Sequence, residues 1–246
     1  MSTGSGIPDY RGPSSRERRS APMQFQEFRD RAEARKRYWA RSAIGWQWIT
    51  ARTPNAAHRA VAQMESRGLV SSVITQNVDG LHQRAGSRNV LELHGTLSRA
   101  VCLTCNTPEP RRRFQERILA LNPRWEAEGT MAPDGDADVT LDRSNSFVVP
   151  TCTRCGGVMK PDVVFFGESV PSSRVEEAFG MVRESRVLLV LGSSLTVFSG
   201  FRFVKRASEL EIPVAIVNQG STRGDPLATV VLDAPLEDVL PRIAGS

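Results

Sequence analysis

The 246-residue chain contains no run of about 18 consecutive apolar residues, which excludes a membrane-spanning helix. Its opening stretch, MSTGSGIPDYRGPSSRERR, has no apolar centre and does not read as a secretory signal. No segment repeats at a fixed period, so solenoids and propellers are excluded. Cysteine is scarce: four residues, grouped in two pairs, make a metal signature rather than a disulfide ladder. Lysine is scarcer still, with Lys36, Lys160 and Lys205 the only three among 32 cationic residues. The GxGxxG fingerprint of dinucleotide-binding folds is missing as well.

A net charge of +5 invites a nucleic-acid reading, but the charge is concentrated. Between Arg11 and Arg41 ten arginines and lysines face four acids, giving +6 there and −1 for all other residues together. The basic character therefore belongs to one segment.

Residues 1–20 read as a Gly/Pro/Ser loop, and residues 23–50 have helical spacing with Phe25, Phe28, Tyr38, Trp39, Trp46 and Trp48 as anchors. Thr53 and Pro54 predict a helix start and Gly68 its stop, with Ala57, Val61 and Met64 on one face. Leu69–Thr75 then reads as a short β-branched strand. The alternation returns after residue 170. Helical composition over 175–185 precedes the apolar run 187–191, which Gly192-Ser193-Ser194 ends. A helix over 201–210, a strand over 213–217, a third buried strand over 229–232 and a closing helix over 236–243 follow. Helices alternating with doubly buried strands predict an α/β fold, a doubly wound parallel Rossmann-like sheet whose ligands sit beyond the strand C-terminal ends. Residues 101–160 break the pattern and read as a small inserted module, so the expected division is 1–100 with 161–246, including a helical segment about 20–50, and 101–160 apart.

The module carries the strongest signal, Cys102-x-x-Cys105 and Cys152-x-x-Cys155. Two such turns converge four thiolates on one tetrahedral zinc, a closed site with no position left for water and hence structural. Zinc ribbons often bind nucleic acid, so the module alone also supports a binding protein. Thr75-Gln76-Asn77-Val78-Asp79-Gly80-Leu81-His82 lies just past a strand, where its amides and carboxylate could hold a ribose and a carboxamide. The same stretch also reads as a polar turn capping the next helix. His94, after Leu91-Glu92-Leu93 and before Gly95, reads on its own as a packed histidine, and His58 and His82 read that way too. Ser193 and Ser194 after one strand and Asn218 after the next describe a dinucleotide crevice.

Taken in order, Gly6-Ile7-Pro8-Asp9-Tyr10-Arg11, the segment 75–82, Leu93-His94-Gly95, the two CxxC pairs, Phe165-Phe166-Gly167-Glu168, Gly192-Ser193-Ser194 and Asn218-Gln219-Gly220 resemble the sirtuins, NAD-dependent protein deacylases. The resemblance covers essentially the whole chain. Residues 37–41, Gly45-Trp46 and the loop 132–138 look most like the class II, lipoamidase-type branch. The resemblance implies NAD as cofactor, one structural zinc, and acylated lysine side chains of proteins as substrates, in a cytoplasmic protein; membranes and nucleic acid are not expected partners. It implies His94 as general base toward the nicotinamide-ribose hydroxyls, Gln76 and Asn77 positioning that ribose, and Asp79 holding the carboxamide, with Val78 beside them. Ile7, Asp9, Tyr10 and Arg11 would close over the cofactor. Gly192, Ser193, Ser194, Asn218, Gln219, Gly220 and Leu236 would line its adenosine side. Val164, Phe165, Gly167 and Glu168 would offer backbone to a substrate peptide laid down as an added strand. The implied reaction moves the acyl oxygen onto the NAD ribose, expels nicotinamide and ends in free lysine and an O-acyl-ADP-ribose.

The sequence departs from that family at its start. The strand and Gly-Ala-Gly loop that precede the segment Ser5–Arg11 in the family are not found, Met1 falls on a variable position, and Gly4 stands where an acid or another polar residue is usual. The expectation is an N-terminally truncated sirtuin. A protein ADP-ribosyltransferase or an NAD-binding pseudoenzyme is the alternative activity. Tyr38 and Arg41, one helical turn apart, read either as a pair for a carboxylate-bearing acyl chain or as a packed tyrosine and a surface arginine.

Overall fold

The computed structural model describes residues 1–8, 22–123, 129–131, 137–139 and 146–245. A short 3-10 turn at Ser2–Ser5 is followed by the helices α1 (Phe25–Asp30), α2 (Ala32–Ala51) and α3 (Ala56–Ser66). Strand β1 (Val73–Thr75), helix α4 (Leu81–Ala85) and strand β2 (Val90–Glu92) come next. The middle of the chain forms β3 (Gly95–Cys102), β4 (Pro108–Pro110), α5 (Arg111–Leu121), β5 (Gly129–Met131), β6 (Ala137–Val139) and β7 (Met159–Val163). The chain then returns to alternation with α6 (Ser172–Arg183), β8 (Leu188–Leu191), α7 (Phe198–Glu209), β9 (Val214–Asn218), β10 (Val230–Asp233) and α8 (Leu236–Gly245).

All pairings within the alternating part are parallel. β1 pairs with β2, and β8, β9 and β10 form a second sheet in the order β10-β9-β8. Side chains alternate across a strand, so the two faces can be followed from one sheet to the other. Ile74 of β1 shares a cluster with Val190 of β8 and Ile216 of β9, while Val73 shares the opposite one with Leu189, Leu191 and Val217. The second face is covered by α3 and α8, through Ala57, Val61, Met64 and Leu240. The described residues thus lay out the parallel layer as two hydrogen-bonded sheets with common faces, where one sheet was expected. β1 and β8 meet through side chains past their ends, Gln76 Nε2 donating to Ser193 Oγ at 3.1 Å.

Two local expectations change. The N-cap of α3 is Asn55 rather than Thr53, because the Asn55 side-chain oxygen Oδ1 accepts from the His58 backbone N–H at 3.1 Å. β10 is not a buried strand: all four of its residues are exposed, Val230 at 58%. It lies at the sheet edge, with β9 as its neighbour.

The inserted part is antiparallel, in the order β4-β3-β7, with β5 and β6 forming a separate antiparallel pair. At its root Gly95 crosses β7 so closely that a Cβ there would stand 2.0 Å from the Asp162 carbonyl oxygen, and its φ of +80° favours glycine as well. The core of this half draws Phe28, Tyr38 and Trp39 from α1 and α2 together with Phe114, Ile118, Phe147 and Met159. The helical segment therefore packs on the inserted module. Arg111 fixes that joint. Only 1% exposed, its guanidinium lies 5.3 Å and 5.0 Å from the ring centres of Trp39 and Trp46 and donates to Gln115 Oε1 at 2.7 Å. Its neighbours Arg112 and Arg113 point outward on the same helix.

Candidate functional site

Parallel strands end in loops at one edge, and the predicted polar residues gather there. The backbone of β2 runs on to His94, whose ring is held at both nitrogens: Nδ1 lies 3.1 Å from the Gln76 carbonyl oxygen and Nε2 2.9 Å from Ser199 Oγ. Burial pushes its pKa down, and the nearby guanidinium groups of Arg174 and Arg202 push the same way against the Gln76 carbonyl. A neutral imidazole with one lone pair is what a general base requires.

Beyond β1, Thr75 Oγ1 accepts from the Asn77 backbone N–H, and Asn77 Nδ2 donates to Ser2 Oγ at 2.9 Å. Ser2 Oγ in turn donates to Asp79 Oδ2 at 2.6 Å, while Asp79 Oδ1 accepts from Leu81 N–H at the start of α4. One carboxylate oxygen thus meets the first turn of α4, as the turn reading expects, and the other faces the polar cluster. Val78 and Ile7 instead contribute to an apolar cluster with Ile49, Leu81 and Leu97.

Beyond β8, Gly192 has a φ of +58° and lies against Met1 and Leu236, the latter buried in the α3/α8 core. Ser193 Oγ accepts from Gln76 and from Leu195 N–H, and Ser194 Oγ lies 3.0 Å from Thr196 Oγ1. Past β9, Asn218 Nδ2 donates to the carbonyls of Gln219 and Gly220. Gly220 N–H donates to Asp233 at the end of β10. Gln76, Asn77, Asp79, His94 and Ser193 are therefore brought together, with Asn218, Gln219 and Gly220 on a neighbouring strand end. Asp9, Tyr10 and Arg11 lie outside the described residues, as do positions 132–136 of the loop 132–138.

The 164–168 turn stands next to His94, Val164 N–H donating to the His94 carbonyl at 2.8 Å. It is stiffened from within: Glu168 accepts from Phe165 N–H and pairs with the buried Lys160 at 3.0 Å. From outside, Phe25 N–H donates to the Phe166 carbonyl and Gln26 to the Gly167 carbonyl. Tyr38 is 2% exposed and its ring packs on Phe28, Trp39 and Phe165. In the described part of the basic segment, Arg29, Lys36 and Arg37 pair with Asp30, Glu33 and Glu27.

The four cysteines form a second centre, away from these strand ends. All four sulfurs lie within 4.8 Å of one another, with Cys102–Cys155 at 3.5 Å and Cys105–Cys152 at 3.7 Å. A tetrahedron with Zn–S bonds of about 2.3 Å has edges of roughly 3.8 Å, so the set fits one structural zinc. Backbone N–H groups of Thr104 and Arg154 point at the sulfurs of Cys102 and Cys152, as thiolates need.

Three participants were not anticipated from the sequence, Ser2, Ser199 and Asp233. Asp233 follows the rule that polar residues at parallel strand ends face ligand. Ser199 has no such signal, since its partner His94 is 105 positions away.

The fold and these strand ends define a dinucleotide-binding α/β protein with a structural metal module. The sequence pattern of the Sir2 family matches residues 1–199. NAD-dependent protein deacetylase 1 of Streptomyces coelicolor is 52% identical over 245 residues, a match covering 99% of this chain and 82% of that protein. NAD-dependent protein deacylase Sirt4 of Drosophila melanogaster is 47% identical over 248 residues, covering 99% and 79%. Among solved structures, a complex described as Sir2 with p53 peptide and NAD+ superposes with a TM-score of 0.74 at 30% identity, covering 99% of this chain and 88% of that one. A structure described as Sir2 bound to acetylated peptide gives 0.75 at 27%, with the same coverage. The chain belongs to the Sir2 family.

Proposed function

We propose that the protein is an NAD-dependent protein-lysine deacylase that releases nicotinamide and an O-acyl-ADP-ribose. The observation that carries this reading is His94, a base biased toward neutrality and held at the point where the ends of β1, β2 and β8 converge on Gln76, Asn77 and Ser193. NAD, when bound, supplies the ribose carbon that takes the acyl oxygen as nicotinamide leaves. Gln76 and Asn77 offer amide donors to the hydroxyls of that ribose, and Asp79 offers an acceptor to the carboxamide. His94 Nε2 takes the proton of a ribose hydroxyl. Ser193, Ser194, Asn218 and the 219–220 turn receive the adenosine side, and Ile7 anchors the segment that leads to Asp9, Tyr10 and Arg11. The turn Val164–Glu168, tied to the His94 carbonyl, lays the acyl-lysine peptide beside the base.

The same reading divides the chain into 1–100 with 161–246 and a 101–160 metal module. It places the chain in the lipoamidase-type branch, on the sequence of residues 37–41, Gly45-Trp46 and the loop 132–138. Among the described residues no helix is long and apolar enough to cross a membrane. Four cysteines spaced for a metal rather than for disulfides suit the cytoplasm. Packing of Tyr38 inside an aromatic cluster favours an uncharged acyl chain over an acidic one.

The test is nicotinamide release by the full chain with NAD and acetyl-, succinyl- or glutaryl-lysine peptides. Release should require the acylated peptide, and His94→Ala should lower it by at least ~10³-fold, as loss of general-base and positioning chemistry together does. Turnover without peptide would instead make the protein an ADP-ribosyltransferase or a glycohydrolase.

A further inference from the structure

A carbonyl oxygen only accepts, so the contact between His94 and the Gln76 carbonyl is a hydrogen bond only when Nδ1 carries the proton. The other tautomer would set two lone pairs against each other and leave both groups unmatched. Nε2 of the neutral ring is therefore the lone pair available for base chemistry. It is already filled, by the hydroxyl of Ser199 at 2.9 Å.

Ser199 is not a passing surface contact. It is 8% exposed and sits in the first turn of α7. At the next position a Cβ on Gly200 would come within 2.8 Å of the Gln76 side-chain amide, so this turn is pressed directly against the Gln76–His94 pair. The ring is thus held from two elements, the end of β1 at Nδ1 and the start of α7 at Nε2.

We propose that Ser199 is a positioning residue for His94: its hydroxyl holds the Nε2 lone pair at rest and vacates it for an incoming sugar hydroxyl. This rests on His94 acting as the base in the deacylase reading. A turn about the Ser199 Cβ–Oγ bond moves only hydrogen and leaves the oxygen in place. The proton released by the sugar hydroxyl then resides on Nε2, where Nε2–H donates to Ser199 Oγ and Nδ1–H still donates to Gln76. Both protonation states of the ring keep two partners and one orientation, so the ring need not reorganise during proton transfer.

Imidazole ¹⁵N spectra of the free protein read this directly, since the chain has three histidines, His58, His82 and His94. His94 should show protonated Nδ1 and an unprotonated, hydrogen-bonded Nε2. In Ser199→Ala the Nε2 signal alone should move toward that of an unbonded ring nitrogen. With NAD and acylated peptide the same variant should lose about three- to tenfold in kcat, the worth of one neutral hydrogen bond, with KM for NAD within twofold. Ser199→Thr should recover both signal and rate. A protonated Nε2 in the wild-type spectrum would overturn the proposal, as would an Nε2 signal and kcat unchanged in Ser199→Ala. Those results leave the deacylase reading standing, whereas peptide-dependent turnover surviving in His94→Ala removes that reading itself.

Discussion

The two halves of the molecule treat buried polarity in opposite ways. In the module half, polar groups are matched within the fold: Arg111 is buried between two indoles and on Gln115, Gln115 bonds the Ala43 carbonyl, and four sulfurs gather on one another. At the parallel strand ends, polar groups are partly open and bond one another in chains, Asn77 to Ser2 to Asp79 and Gln76 to Ser193. Partners of the second kind can be exchanged for a ligand's at little cost, because one hydrogen bond replaces another. The first kind holds shape, and the second holds a place for something else.

Removing the metal should break this comparison most severely. A structural zinc contributes on the order of 10 kcal/mol in small metal-organised domains, comparable to the whole stability of a typical fold. Treatment with a strong chelator, or Cys152→Ser, should abolish the cooperative thermal transition of the module half and the near-ultraviolet signal of its aromatic core. A chelated protein with an unchanged melting curve would show that the thiolate set does not carry that half.

Arg111→Ala should follow, at about 3 kcal/mol, from a vacated core volume, two lost cation–π contacts and a stranded Gln115. Equilibrium urea unfolding measures it. NAD affinity of the folded variant should change less than twofold, since Trp39, Trp46, Gln115 and Ser42, which Arg111 contacts, all lie on α2 and α5 rather than at the strand ends; a larger loss would mean that the halves are coupled through α2.

The smallest effect sharpens the comparison inside the parallel half. His58 and His82 meet edge to face there with ring centres 5.0 Å apart, and His58 Nε2 and His82 Nδ1 have no hydrogen-bond partner among the described residues. Burial pushes both pKa values down, that of His58 to about 3, with each ring's charge neighbours adding smaller effects. The unfolded chain protonates near 6.5 and the folded one near 3, so the unfolded state binds more protons between these values. Stability contributed here is complete above pH 6.5 and is lost as pH falls toward 3. The urea midpoint should decline across that window, and His58→Gln should flatten the decline; a wild-type midpoint rising on acidification would contradict it.

Much of this was legible in the sequence. Apolar runs bounded by glycine gave β8 and β9 to within a residue or two, and CxxC spacing gave the thiolate set, because both are local patterns. What escaped depends on contacts between distant elements. Arg111 opens an Arg-Arg-Arg run in which nothing distinguishes the first member, and only the arrival of Trp39 and Trp46 from α2 makes it a core residue. The apolar composition of β10 reads as burial, but a strand's exposure is set by its neighbours, and β10 is an edge. The role of α1 and α2 in the module core was hidden for the same reason. Their aromatic faces are plain in the sequence, but which surface they cover is not. His94 read alone as a packed histidine, and its packing is part of its fitness, since burial is what keeps the ring neutral.

The sandwiching of Arg111 by two indoles has an optical consequence. The chain has four tryptophans, Trp39, Trp46, Trp48 and Trp125, and two of them meet at the joint between α2 and the metal module. Separation of the module from the helices would bring water to the fully buried Trp39 and withdraw a cation from both rings. Tryptophan emission should therefore shift to the red when the joint opens, giving the molecule an intrinsic gauge of its own assembly.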